Sequence, residues 1–194
     1  MGLHVHSISD LPLSESRAYY IYVLDYYSWD EPVSNVLQAN ILKIASFCAA
    51  NDAVMIKGLP DSHFYSDVLS WVGINGQGPG TVLPALLITT AHPRYFIEGS
   101  NQLHPKDIRD SMVFLKIRDI CKTPGDVVDL LEKIFTDIKS RKKIRDFAIA
   151  HELRAGERGA LVDALILEPN ISGLGINIKK LVSWFKCHAR TADA

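Results

Sequence analysis

The stretch "AYYIYVLD" (Ala18 to Asp25) carries apolar or aromatic side chains at successive positions, so an extended chain here needs cover on both faces. A strand of that kind belongs inside a sheet with a helical layer on each side, which makes the expected class α/β. Three further segments read the same way: "AVMIKGL" (Ala53 to Leu59), "PALLITT" (Pro84 to Thr90) and "SMVFLKIRDI" (Ser111 to Ile120). Helical patterns separate them. From Val33 to Asn51, the residues Val33, Val36, Leu37, Ile41, Ile44, Ala45 and Cys48 recur at spacings of three and four, which predicts one amphipathic helix. Pro32 suits its first turn, and Asp30 or Ser28 suits its cap. A second helix is expected after Pro60, capped by Asp61 or Ser62, with Phe64, Val68, Leu69, Trp71 and Val72 as its apolar face. The segment "TPGDVVDLLEKIFTDIKS" opens with a Thr cap, a first-turn Pro and early acids, a strong helix start.

The two ends read differently. Residues 1–17 show no periodicity and are expected to be a lead-in. Residues 141–194 form an extension: "RDFAIAHEL" and "GALVDALILEP" are predicted strands of a β-hairpin turning at "RAGERG". "SGLGINIKKLVSWFKCH" predicts a last helix with Ile176, Ile178, Leu181, Val182 and Phe185 on its buried side. A lone hairpin is barely stable in water, so this extension is expected to pack on the main domain or on a second subunit. Trp184 and Phe185 point about 100° apart on such a helix, which leaves one of them for a contact patch.

Composition removes several classes of function. The 194 residues hold 21 Lys plus Arg against 22 Asp plus Glu, and a net charge near −1 gives no general attraction to polyanions. No apolar run approaches the ~20 residues of a membrane span, and "MGLHVHSISD" lacks the pattern of a secretion signal, so a cytoplasmic protein is expected. Cys48, Cys121 and Cys187 lie far apart, with no CxxC, which suggests buried thiols rather than a zinc knuckle or a local disulfide. No metal or cofactor is expected.

Through residue 140 the order strand, helix, strand, helix, strand, strand, helix resembles the thioredoxin-like fold. Asp25-Tyr26 resembles the aspartate-aromatic pair that ends the first core strand of that family. Trp29 and Pro32 match its Trp-Cys-Gly-Pro-Cys motif in spacing, with Asp30 and Val33 where the cysteines would stand. The "TVLP" of Thr81 to Pro84 is similar to the glutaredoxin Thr-Val-Pro ahead of the third strand. The resemblance covers about residues 18–140. It implies a central mixed sheet flanked by helices, a cis bond at Leu83-Pro84, and Pro84 close to Trp29 and Pro32. Disulfide exchange needs a thiolate at the helix N-terminus. Val33 and Asp30 provide none, so a redox-inactive adaptor or accessory protein that binds a protein partner is the expectation. Its candidate contact residues are Tyr26, Tyr27, Trp29, Pro84, His92 and Arg94, with a homo-oligomer as one form of the partnership.

Two other readings use other residues. A metal-dependent or acid/base hydrolase or nuclease would centre on the hairpin, with His151, Glu152, Asp163 and Glu168 as its polar groups. Against it, Asp163 and Glu168 fall on opposite faces of a regular strand, and His151-Glu152 lacks a second ligand-spaced His. A nucleic-acid contact would use the basic run Lys139, Arg141, Lys142, Lys143 and Arg145, whose simpler role is to complement a helix C-terminus. The stretch "GINGQGPG" (Gly73 to Gly80) is expected as loop, and Gly73, Gly76, Gly78 and Gly80 do not have P-loop spacing.

Overall fold

A computed structural model describes residues 2–12, 14, 16–25, 32–60, 62–71, 79–94 and 111–155. Among these, five strands form one sheet: β1 (Gly2–Val5), β2 (Tyr19–Leu24), β3 (Ala53–Gly58), β4 (Ala85–Thr89) and β5 (Met112–Lys116). Their order across the sheet is β1-β3-β2-β4-β5. β3 lies parallel to both β1 and β2, whereas β4 is antiparallel to β2 and to β5. The molecule is thus α/β with a mixed, open sheet. Every residue of β2 through β5 is buried, as strands apolar on both faces require.

Alternation of side chains along β2 divides the core in two. Tyr19, Ile21 and Val23 join Met55, Leu86, Ile88, Val113 and Leu115 on one face. Helices α1 (Pro32–Ala39), α2 (Ile41–Ala50), α6 (Pro124–Lys139) and α7 (Ala148–Ala155) cover that face through Leu37, Ile44, Val127, Ile134 and Ala150. Tyr20, Tyr22 and Leu24 point the other way, to Ile56, Leu87 and Phe114. There α3 (Phe64–Trp71) and the short α4 (Pro79–Val82) supply Phe64, Val68 and Val82, and the N-terminal segment supplies Val5, Ile8 and Leu11. α6 begins as its sequence predicts: Thr123 Oγ1 accepts from Asp126 N (3.3 Å), while Asp126 Oδ2 accepts from Thr123 N (2.9 Å).

Five expectations need correction. The supposed lead-in contains β1, whose residues Gly2 to Val5 pair with Met55 to Gly58. The helix expected over 33–51 is interrupted at Asn40, whose side-chain amide donates to Val36 O (2.8 Å) and competes with the regular backbone pattern. "SMVFLKIRDI" is a strand only to Lys116; Ile117–Ile120 forms the helical turn α5. Pro79 to Val82, expected in part as loop, makes the turn α4. Most consequential, "RDFAIAHEL" is not a hairpin strand.

Its core, Ala148–Ala155, is helix α7. Phe147 and Ile149 alternate as in a strand, yet Phe147, Ala150 and Leu153 also recur every three residues, and all of them are buried. Asp137 decides between the two patterns. Its Oδ2 accepts from Ala148 N (2.7 Å), putting a carboxylate at the start of the helix. The second expected strand, 159–169, and the final helix, 172–188, lie outside the described residues.

Candidate functional site

β2 and β4 end side by side. Leu24 pairs with Ala85, and one residue beyond that pair stand Asp25 and Pro84. The Leu83-Pro84 bond is cis, and Pro84 is buried. Next to this edge, α1 carries Ser34 and Gln38 one turn apart, on the face turned towards the sheet. On β3, Lys57 pairs with Val23 and so shares the face on which Asp25 lies two residues further on.

These four side chains form one connected polar cluster. Ser34 Oγ donates to the Asp25 carboxylate, 2.8 Å from Oδ1 and 2.7 Å from Oδ2. Gln38 Nε2 donates to Asp25 Oδ2 at 2.5 Å. The carbonyl end of the same amide accepts from Lys57 Nζ. Gln38 therefore stands between an anion and a cation and satisfies both. Asp25 is 6% exposed and Lys57 7%, while Gln38 between them is half-buried. Burial pulls the Lys57 ammonium below its usual value of 10.5, while the Asp25 charge acts in the opposite direction. Sequence reasoning used Asp25 only as half of a motif and missed the other three. The signal that was available is Lys57 itself, a lone cation inside the apolar run "AVMIKGL".

A carboxylate that accepts from two side chains, with a lysine held through an amide, ties α1, β2 and β3 together. The described cysteines lie elsewhere. Cys48 is fully buried on α2, and burial pushes its thiol up to about 12. Cys121 is buried after α5, and both are free thiols.

Of the residues expected to make contacts, Tyr26, Tyr27 and Trp29 lie outside the described residues. Pro84 precedes β4, whereas His92 and Arg94 follow it, so a strand of about 15 Å separates them. His92 packs edge-on against Tyr20 with ring centroids 5.8 Å apart, and its Nδ1 accepts from Arg94 N (3.1 Å). The structure does not bring these residues together with Pro84.

Of the alternative groups, His151 and Glu152 lie on α7. His151 is exposed on α7, and its neighbour Glu152 pairs with Lys133 at 2.6 Å. Asp163 and Glu168 lie outside the described residues. Among those described, no three His, Cys, Asp or Glu side chains converge as a metal would require.

The basic run is partly neutralised by its surroundings. Lys142 Nζ lies 2.7 Å from Asp137, Arg141 lies 3.8 Å from Asp52, and Arg145 lies 3.7 Å from Asp146. Lys139 and Lys143 are exposed. No described helix is long and apolar enough to cross a membrane. Comparison with models of known protein families, with curated proteins and with solved structures finds no match for this chain.

Proposed function

We propose that this chain is a thioredoxin-like protein without disulfide oxidoreductase activity, and that it works by binding another protein. The observation that carries the reading is that, among the described residues, no thiol lies at the sheet edge where Asp25 and Pro84 stand side by side. Helix α1 starts there with Pro32 and Val33, and the described cysteines are buried elsewhere. The element order from β2 to α6 and the mixed sheet support the fold assignment. At that edge Gln38 bonds both Asp25 and Lys57. Tyr26, Tyr27 and Trp29 follow directly in the sequence and are residue types that anchor protein interfaces.

The test is capture of a stoichiometric partner from the native host by the full chain, run beside the double variant Tyr27→Ala/Trp29→Ala. Loss of the partner in a folded double variant is the expected result. A parallel assay measures reduction of an insulin-type disulfide, for which no turnover is expected. Turnover that vanishes on replacing one of Cys48, Cys121 or Cys187 by Ser overturns the reading.

A further inference from the structure

A groove of about 530 Å³ runs between α6 and α7. Its floor is apolar, with Ile120, Leu130 and Ile149 each nearly inaccessible to solvent. Its rims are acidic: Asp126, Asp129, Glu132 and Glu152 line it, with Asp137 buried below them, against Lys133 and Lys142. The two lysines are spent on Glu152 and Asp137, and Asp126 caps α6. Asp129 and Glu132 remain exposed on one face of α6, with no ion pair to either among the described residues. An apolar floor under surplus carboxylates fits a ligand with an apolar stripe flanked by cations.

The same chain contains such a segment. Residues 171–192 hold Lys179, Lys180, Lys186 and Arg190 and no Asp or Glu, with Ile176, Ile178, Leu181, Val182 and Phe185 interleaved. We infer that this basic, apolar segment of the chain's own C-terminal region docks in the α6–α7 groove. Connection favours it over a free ligand of similar chemistry. The chain leaves α7, one wall of the groove, at Ala155, and about 20 residues reach Ile176, enough for up to ~70 Å when extended. A helix of 16 residues is only about 24 Å long, so the whole groove lies within reach. A tether of that length holds the segment at an effective concentration of order mM, which modest complementarity suffices to exploit.

Cys187 provides a native reporter within the segment. In the full chain, Thr136→Cys puts a thiol on the exposed wall of the groove, and Ser66→Cys puts one on α3, across the sheet. Under mild oxidation at low protein concentration, Thr136→Cys should form an intramolecular disulfide with Cys187 about tenfold faster than Ser66→Cys. That advantage should shrink in 1 M salt, where charges are screened beyond about 3 Å. It should also shrink in Asp129→Lys/Glu132→Lys and return when Lys179→Glu/Lys180→Glu is added. Equal rates from the two sites, disulfides formed only between chains, or an advantage indifferent to charge reversal would each overturn the inference.

Discussion

Gln38 is a neutral side chain that bridges two buried charges. Its amide donates to Asp25 and accepts from Lys57, so replacing it with Leu removes one hydrogen bond from each without changing either charge. Gln38→Leu should therefore cost about 1–3 kcal/mol, the usual range for losing hydrogen bonds to charged groups. The midpoint of urea unfolding reads this directly, and an unchanged midpoint would mean that the amide does not bridge the pair. Lys57 adds a pH signature. Burial lowers its pKa in the folded state, so between that lowered value and 10.5 the unfolded chain binds more protons than the native one. Stability contributed by this group must then rise as pH climbs through that window. Below that window both states are protonated, and the desolvation of the ammonium stands as a constant cost. Lys57→Met should flatten the alkaline rise relative to the parent chain, as measured by unfolding at pH 8 to 10.5. A steeper rise in the variant would contradict the assignment.

At the scale of elements, the turn between α6 and α7 hangs on Asp137. This carboxylate, 2% exposed, accepts from Ala148 N and from Lys142 Nζ, both at 2.7 Å. Asp137→Ala leaves the Ala148 N–H without its partner and removes the charge at the start of α7. A loss of about 2–3 kcal/mol is expected, with early hydrogen exchange in α7. The same residue explains why α7 was illegible in sequence. Phe147 and Ile149 alternate well enough for a strand, and the feature that selects a helix sits on another helix, eleven residues before Ala148. Elements set by local chemistry were legible: α6 from Thr123, Pro124 and Asp126, and β2 to β4 from runs apolar on both faces. The break at Asn40 was not, because an apolar spacing of three and four continues across it while a side-chain amide interferes. At the candidate site, Asp25 and Pro84 were legible through their motifs. Ser34, Gln38 and Lys57 were not, since only folding brings α1 and β3 to the same spot.

At the scale of the whole molecule, β1 is the structural surprise. Gly2 to Val5 cover one edge of β3, and Gly2 lies so near α2 that a Cβ there would come within 2.8 Å of the Ala45 side chain. Val5, Ile8 and Leu11 behind it are buried. Deleting residues 2–11 should thus lower stability by at least about 3 kcal/mol from lost apolar burial. It should also expose the β3 edge to other chains, with aggregation visible by light scattering. A monomeric deletion variant of parental stability would show that β1 is dispensable. The position of β3 has a further consequence, for synthesis rather than for the finished fold. β3 is the partner of both β1 and β2, yet it is made after them: 47 residues, 6–52, separate the end of β1 from its start. At ribosomal speeds of ~5–20 residues per second, β1 waits about 2–9 s for its mate to be made, and β2 waits less. Slow codons between positions 6 and 52 would prolong that unpaired interval and lower the soluble yield while leaving the completed protein identical.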